Sequence, residues 1–428
     1  MRTQAGIFFH THLFGRNKYL KLIFTIGTIL LVCIDSFSQT RSRYLFSCTP
    51  KLEEPYGICT HINSKEKTGD WYQRTDILTR INEIGINFMR TDLYWFELQP
   101  RLYETLRFQQ YDDFIGPMFK RNIEFLPIFT YQESSDNNAL THTKEWIEYI
   151  LACIRRYHKI KYVEIINEAD RIQNLNGSEY CELLRKAYKA IKDYNKDIKV
   201  LYSSYSKADS DFFDDVMKSG GNTFFDIMNY HYYNWNSPPE TAIKQIVNFK
   251  RRLDTYQIKK HIWVTETGYP TTLVTDSNQA KYLPRVFILG FSYGFDKIFW
   301  YDLKSTELVE NDNESNFGIY HKNLVPKPAV SSYKTLIRMC PSGSTRPEVI
   351  KDGDLYIAHW RNTSRKHIYA VWSSKQSCDI SISRPYRRIT LYDGRAIQGE
   401  SELNVGNCLV YIQGQKEEIK INNKIYKF

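Results

Sequence analysis

Between residues 55 and 340, short apolar runs alternate with stretches in which apolar residues recur at helical spacing. Strands that are each followed by a helix form parallel sheets, and eight such units fit a closed (β/α)8 barrel. An open doubly wound sheet is the structural alternative, but it would often carry a phosphate-binding glycine loop, and no GxGxxG or Walker motif occurs. The sequence therefore predicts an α/β fold with a TIM barrel. The eight runs cover residues 56–61, 87–92, 124–129, 162–166, 198–203, 225–230, 261–265 and 297–301.

The pattern changes after residue 340. Short apolar runs are there separated by Asn, Asp, Gly and Ser, which is typical of a small antiparallel β-sandwich. We therefore expect a barrel domain over residues 55–340 and a C-terminal β-sandwich over residues 341–428 that packs on the barrel as a structural accessory. An N-terminal extension, residues 39–54, is a candidate for one more strand of the sandwich. The five runs cover residues 355–360, 367–372, 380–382, 389–392 and 409–412.

Residues 1–38 have the features of a secretory signal peptide. Basic residues precede an apolar run over residues 22–34, small residues follow it, and cleavage is expected near Ser38. The run is shorter than the roughly 20 residues that cross a bilayer, so a permanent anchor is disfavoured. The sequence predicts an exported protein, periplasmic or extracellular, with no membrane span after cleavage. A cell-surface lipoprotein attached through Cys33 is the less favoured alternative.

Charge and cysteine content restrict the partners. The formal net charge is +10, but the Lys and Arg residues are scattered and follow no nucleic-acid-binding motif, so no nucleic-acid partner is expected. A basic excess suits an acidic polysaccharide, although it is also common in exported proteins. Seven cysteines remain without Cys33, so at least one thiol is unpaired, and no Cys or His spacing predicts a zinc site. We expect no metal and no cofactor, and nothing in the sequence indicates an oligomeric state.

Two of the eight runs end at a glutamate. The fourth, YVEII, is followed by Asn167 and Glu168, and the seventh, HIWVT, by Glu266. Active sites of (β/α)8 barrels lie at the C-terminal ends of the strands, so these two carboxyl groups are expected to face one pocket. Hydrolysis of a glycosidic bond needs such a pair, one group protonated and the other ionised. The alternative is that both are surface glutamates at loop starts.

Neighbouring residues favour catalysis. Arg90, at the end of the second run, could keep Glu266 ionised through a charge-assisted hydrogen bond, although a purely structural ion pair is the alternative. Asn167 could donate a hydrogen bond to the sugar hydroxyl beside the reacting carbon. We expect Glu168 to lie in a more apolar setting near a negative neighbour and to remain protonated in the resting enzyme.

With these residues the sequence resembles the clan A glycoside hydrolases, which typically carry an Asn-Glu acid/base after strand four and a Glu nucleophile after strand seven. Residues 89–95 and 299–302 look like the corresponding segments of families 39 and 5. Ala169 departs from the proline that many members have after the acid/base. The resemblance implies retaining hydrolysis of O-glycosidic bonds in a carbohydrate by double displacement, with Glu168 as acid/base and Glu266 as nucleophile.

The resemblance also suggests further contacts with the substrate. Residues 231–233 look like the His-x-Tyr of family 5, so that Tyr233 would hydrogen-bond the nucleophile and His231 would line the pocket. Trp300, after strand eight, is a candidate for the floor under the sugar, and the core is its alternative place. His61 and Trp95 are weaker candidates for substrate contacts.

Two other functions fit parts of the pattern. One is a non-catalytic carbohydrate-binding protein on a glycosidase-like barrel; retention of both glutamates and of Arg90 argues against it. The other is a metal-dependent barrel hydrolase, for which HxH or HExxH spacing is lacking in residues 55–340. The oxygen-rich segment 311–314 is expected to be a solvated loop rather than a calcium site. The sugar specificity depends on loops such as residues 132–143 and 304–317, and the sequence leaves it open. It also leaves open whether the enzyme cleaves within a chain or from its end.

Overall fold

The computed structural model describes residues 39–41, 50–65, 69–131, 138–207, 211–309, 311–375, 379–382, 386–397 and 402–428. The predicted signal peptide with Cys33, residues 42–49 of the extension 39–54, and the first part of the loop 132–143 lie outside these residues. Among the cysteines that the structure describes, five carry free thiols: Cys59, Cys153, Cys181, Cys340 and Cys408. No described helix combines the length and the apolar character needed to cross a membrane.

A closed parallel barrel forms the larger part of the molecule, and this confirms the predicted fold class. Strand β1 (Gln39–Arg41) precedes it. The eight barrel strands follow in chain order: β2 (Tyr56–Cys59), β3 (Phe88–Leu93), β4 (Glu124–Phe129), β5 (Tyr162–Ile165), β6 (Lys199–Leu201), β7 (Ile227–His231), β8 (His261–Thr267) and β9 (Lys297–Trp300). Each lies on one of the eight predicted runs. Strand β8 continues past the predicted end, so Glu266 lies inside it.

Helices cover the outside of the barrel: α1 (Arg74–Ile84), α2 (Trp95–Leu98), α3 (Gln109–Lys120), α4 (Thr143–Arg156), α5 (Gly177–Tyr194), α6 (Phe212–Lys218), α7 (Ile243–Thr255), α8 (Asp276–Ser292) and α9 (Pro328–Met339). Helix α5 shows why they form. Asn176 and Glu179 make a reciprocal capping box at its start. Its apolar stripe, which includes Leu184 and Ile191, is fully buried. The short α2 was not predicted.

The C-terminal part is antiparallel, as predicted. Its strands are β10 (Glu348–Asp352), β11 (Leu355–Arg361), β12 (His367–Ser373), β13 (Asp379–Ser381), β14 (Tyr386–Leu391), β15 (Ala396–Ile397), β16 (Glu402–Asn404), β17 (Val410–Gly414), β18 (Glu418–Ile421) and β19 (Lys424–Lys427). A seven-stranded sheet has the order β1-β10-β11-β12-β17-β14-β15, and β13-β16 and β18-β19 form two small sheets. Strand β1 pairs with β10, with Gln39 opposite Asp352.

The seven-stranded sheet has two apolar faces. Side chains alternate along β11, so Ile357 joins a core with the two small sheets, whereas Tyr356 and Trp360 join the core of the barrel. Trp372 of β12 also lies on the barrel side and stacks on Tyr356 at 5.4 Å. A sheet with both faces buried links the barrel and the C-terminal sheets into one packed body.

A buried ion pair lies where the barrel meets this sheet. Arg285 of α8 donates from Nε to Glu240 Oε1 at 2.8 Å, and its Nη2 also contacts Glu240 Oε2. Trp372 Nε1 donates to Glu240 Oε1 at 2.7 Å, and Arg285 Nη1 donates to the carbonyl oxygen of Asn407 at 3.2 Å. These bonds satisfy the buried charges and join the two parts of the protein.

Candidate active site

Arg90 of β3 lies at the centre of the barrel mouth and is almost fully buried. Its guanidinium donates to both oxygens of Glu164 at 2.8 Å, to Glu266 Oε1 at 2.7 Å and to Asn167 Oδ1 at 2.7 Å. One planar group thus connects three strands and fixes the carboxylate of Glu266. Because the amide oxygen of Asn167 accepts from Arg90, its NH2 group is the part that remains for another acceptor.

Glu266 is held by donors on both of its oxygens. Tyr233 donates its hydroxyl hydrogen to Oε2 at 2.8 Å, while Arg90 occupies Oε1. Burial by itself would raise the pKa of this carboxyl, but His231, Arg90 and the hydrogen bond from Tyr233 outweigh it and lower the pKa to about 2. Glu266 is therefore ionised at neutral pH.

The backbone turns sharply where β5 ends. Ile166 and Glu168 both have left-handed conformations, with φ of 68° and 42°. Such conformations are strained for residues other than glycine and are often found at functional sites. The amide of Ala169 donates to Ser203 Oγ at 2.8 Å and holds the turn, which leads into a 3-10 helix, Ala169–Arg171. The turn directs the Glu168 carboxylate into the barrel mouth, where it lines the cavity.

Glu168 has charged and polar neighbours. Arg171 Nε lies 2.9 Å from Oε2, and His231 Nδ1 lies 3.0 Å from Oε1. The expectation of a more apolar setting for Glu168 is therefore wrong, because the 3-10 helix brings Arg171 back over the carboxylate. His231 Nδ1 also lies 3.6 Å from Glu266 Oε2, and its Nε2 is 2.8 Å from Thr265 Oγ1. His231 thus stands between the two glutamates.

The two carboxyl groups are close together. One oxygen of Glu168, one oxygen of Glu266 and a ring nitrogen of His231 all lie within 4.8 Å of one another. Such a cluster has the geometry to hold a metal ion. Each glutamate, however, already has a guanidinium within 2.9 Å, from Arg90 or Arg171, and this positive charge opposes a second cation.

A cavity of about 410 Å³ lies over these residues, and we call it the site cavity. His61 lines it, with Nε2 3.2 Å from the hydroxyl of Tyr301. Asp92 and Glu314 also line it, and burial raises the pKa of both carboxyl groups. Glu314 comes from the segment predicted to be a solvated loop. The walls present acceptors and donors that suit a ligand rich in hydroxyl groups.

Two predicted contacts are not found. Trp300 is fully buried, and its ring stacks on Tyr269 and Phe287 in the core, with ring centroids 6.3 Å and 6.5 Å apart. Its neighbour Tyr301, on the opposite side of the chain, lines the site cavity instead. Trp95 is also fully buried; it begins α2 and stacks on Tyr149 at 5.8 Å. Neither tryptophan can touch a substrate in this structure.

The sequence reasoning missed several residues at the barrel mouth. Glu164 had a detectable signal, because a carboxylate in the middle of the buried run YVEII needs a buried cation. Arg171 and Glu314 gave no such signal, since their positions depend on how the loops fold back. Trp235, 43% exposed, also lines the site cavity, and its position likewise depends on how its loop folds.

Two comparisons with known proteins give matches to glycoside hydrolases. A family model described as glycosyl hydrolase family 53 matches residues 142–296. A search of curated proteins gives no match. The structure is similar to a family 39 glycoside hydrolase from Bacteroides cellulosilyticus WH2, with a TM-score of 0.70 and 20% identity over 85% of this chain and 81% of that one.

Two further solved structures are similar over nearly their whole length. A glucosidase from Croceicoccus marinus has a TM-score of 0.63 and 12% identity over 87% of this chain and 98% of its own. A family 39 β-xylosidase from Caulobacter crescentus has a TM-score of 0.59 and 13% identity over 86% and 97%. The barrel thus has the fold of these glycosidases, as the resemblance to the clan A glycoside hydrolases predicted. Within this class the chain resembles family 39, one of the two families predicted.

Proposed function

We propose that the protein is a retaining glycoside hydrolase that cleaves O-glycosidic bonds of a poly- or oligosaccharide, with Glu266 as nucleophile and Glu168 as acid/base. The observation that carries the proposal is the pair of carboxylate oxygens within 4.8 Å over the site cavity. Retaining enzymes hold their two carboxyl groups about 5–5.5 Å apart, whereas inverting enzymes leave roughly 6.5–9.5 Å for a water molecule. The separation here favours direct attack.

The surroundings of each glutamate suit one role. Glu266 is ionised and fixed by Arg90 and Tyr233, so one of its oxygens can attack the anomeric carbon while Glu168 gives its proton to the departing oxygen. The resulting glycosyl-enzyme is then cleaved by water, from which Glu168 takes a proton. His231 contacts both carboxyl groups and is placed to keep them apart and oriented through the two steps.

The test is turnover of aryl glycosides and of a polysaccharide panel by the wild type, Glu266→Ala and Glu168→Ala. We expect Glu266→Ala to lose about 10⁴-fold or more in kcat, because no second nucleophile is available. Azide added to Glu266→Ala should yield a glycosyl azide of inverted configuration, and azide added to Glu168→Ala one of retained configuration. Glu348→Ala, an exposed carboxylate of the C-terminal sheet, is the matched control.

Two results would overturn the proposal. Glutamate variants that cleave as fast as wild type would remove the pair from catalysis, and an inactive wild type would favour a carbohydrate-binding protein without catalysis. The Glu168, His231 and Glu266 cluster also keeps a metal-dependent hydrolase as the second candidate. Activity that is lost with EDTA and restored by a divalent cation would favour that candidate.

The exported location predicted from residues 1–38 belongs to this proposal, because polysaccharide substrates lie outside the cell membrane. It can be checked by cell fractionation together with the N-terminal sequence of the mature protein. We expect a mature N-terminus near residue 39.

A further inference from the structure

A second cavity of about 640 Å³ adjoins the site cavity, and we call it the groove. The two share lining residues, including Glu168 and Trp235. The groove then continues along one face of α7, from Lys244 to Thr255. Eleven residues of helix, at 1.5 Å each, span about 16 Å, which is several times the width of a sugar ring. The groove therefore suits an extended chain.

The position of the groove relative to the two glutamates defines its role. Glu168 lines both cavities, whereas Glu266 lines only the site cavity among the residues described for each. In the proposed reaction the acid/base protonates the oxygen of the leaving group. The groove, on the Glu168 side, is thus where the leaving-group part of the substrate would lie. This assignment rests on the proposed function.

The groove is basic. Among its described lining residues, four carry positive charge, namely Arg171, Lys244, Arg251 and Arg252, and only Glu168 is acidic. Arg171 contacts Glu168, and Arg252 Nη2 lies 2.8 Å from Asp214. Lys244 and Arg251 are exposed and form no ion pair with any residue that the structure describes. Seven residues apart, they lie on the same face of α7, about two helical turns from each other, and are available to an anionic ligand.

The site cavity has the opposite character. Asp92 and Glu314 add two carboxyl groups to the catalytic pair. The two arginines of its lining are already engaged, Arg90 with three side chains and Arg171 with Glu168. An anionic sugar would be repelled there, whereas a neutral sugar would find acceptors for its hydroxyl groups. Where the cavities meet, the half-exposed Trp235 stacks on Tyr233 at 5.6 Å and offers a flat surface for a sugar ring.

We propose that the substrate is an acidic glycan that places a neutral sugar in the site cavity and anionic sugar units, carrying carboxylate or sulfate groups, in the groove. The charge of the two cavities changes sign across the scissile bond. This arrangement selects the bond on the non-reducing side of an anionic unit.

The test is isothermal titration calorimetry of the full mature chain with three probes: polygalacturonate fragments, dextran sulfate and neutral dextran. We expect binding of a polyanion that weakens with added salt, and no binding of dextran. Lys244→Gln/Arg251→Gln should weaken the binding about tenfold, since two exposed charge contacts are lost. The control Lys189→Gln/Lys259→Gln removes the same charge from exposed positions outside the groove lining and should change the affinity less than twofold.

Equal losses in the two double variants would show that only overall charge matters and would overturn the inference. So would dextran binding as tight as that of the polyanions. The comparison of polygalacturonate with dextran sulfate separates carboxylated from sulfated ligands. Aryl glycoside turnover, measured in parallel, separates the two proposals: turnover without polyanion binding overturns this inference alone. Polyanion binding that depends on Lys244 and Arg251 without turnover overturns the proposed function and leaves the groove as an acidic-glycan site.

Discussion

Two buried arginine–glutamate pairs in this barrel have similar local geometry but different surroundings. Arg90–Glu266 at the mouth and Arg285–Glu240 beside the C-terminal sheet have donor–acceptor distances of 2.7 Å and 2.8 Å. Each glutamate also accepts from an aromatic donor, Tyr233 or Trp372. Burial and pairing therefore do not distinguish the proposed nucleophile, Glu266, from the structural carboxylate of Glu240.

The difference lies in what remains open. Glu266 lines the site cavity, and His231 lies between it and Glu168. Glu240 instead accepts a hydrogen bond from Trp372 of the sheet, and its partner Arg285 also donates to the carbonyl oxygen of Asn407. The first pair faces a space that a substrate can enter. The second fills the junction between two parts of the protein. The comparison predicts that equivalent substitutions in the two pairs affect different properties.

The largest expected effect is on activity at the first pair. Arg90→Met should lower kcat by about 10³-fold, because Glu266, the proposed nucleophile, loses a fixed charged partner. The pKa of Glu266 should rise without the guanidinium, so the acid limb of the pH–rate profile should move to higher pH. Arg90→Lys keeps the charge but has three N–H donors in place of a guanidinium that makes four hydrogen bonds to oxygen, so it should be intermediate. A folded Arg90→Met variant with kcat within threefold of wild type would break the comparison.

At the second pair the same change should affect stability. Arg285→Met leaves Glu240 buried without its guanidinium and should lower the free energy of unfolding by about 3–5 kcal/mol. Urea unfolding measures this loss. The kcat of the folded fraction should equal that of wild type. A loss of kcat as large as that of Arg90→Met would show that the junction also acts in catalysis.

The aromatic donors offer a milder test of the same contrast. A hydrogen bond to a charged group contributes about 1.5–3 kcal/mol, so Tyr233→Phe should lower kcat about 10- to 100-fold. Trp372→Phe should instead lower the stability and leave kcat unchanged. Both variants can be assayed for turnover and urea unfolding side by side. The contrast fails if the two substitutions have the same profile.

The smallest effect concerns a buried carboxylate that faces a histidine instead of an arginine. Asp302 lies 3.6 Å from His61 Nε2, and burial raises its pKa to about 7. The folded state thus keeps the proton on Asp302 up to about pH 7, whereas the unfolded state loses it near pH 4. Protonated Asp302 therefore contributes its full share to the stability of the fold below about pH 4, and this contribution is lost as the pH rises to 7. Asp302→Asn should be more stable than wild type at pH 8 by about 1–2 kcal/mol and nearly equal at pH 4. A difference that does not change with pH would contradict this.

The barrel could be predicted because its signal is local. Each run of β-branched or aromatic residues forms one strand, and the two glutamates could be predicted because each directly follows such a run or lies one residue beyond it. The side of the chain on which a side chain lies is harder to predict. The predictions for Trp300 and Trp95 were wrong because one residue decides between the cavity and the core, and the ends of short strands are uncertain by that much.

Loop residues could not be placed from the sequence. Arg171 reaches Glu168 only because a 3-10 helix follows the left-handed turn, and Glu314 reaches the cavity only because its loop folds back toward Tyr301. The weak strands β15, β16, β18 and β19 have no long apolar run, because each is covered on one side only. Such features depend on turn geometry and on packing against the rest of the fold, which local sequence patterns do not determine.

The pairing of β1 with β10 imposes an order of assembly on the chain. Gln39 finds Asp352 only after the entire barrel has been made. At a translation rate of about 5–20 residues per second, the ribosome synthesises β10 roughly 15 to 60 seconds after β1. The sheet edge that β1 completes is therefore closed among the last events. A chain truncated before residue 348 would leave β1 without its partner strand.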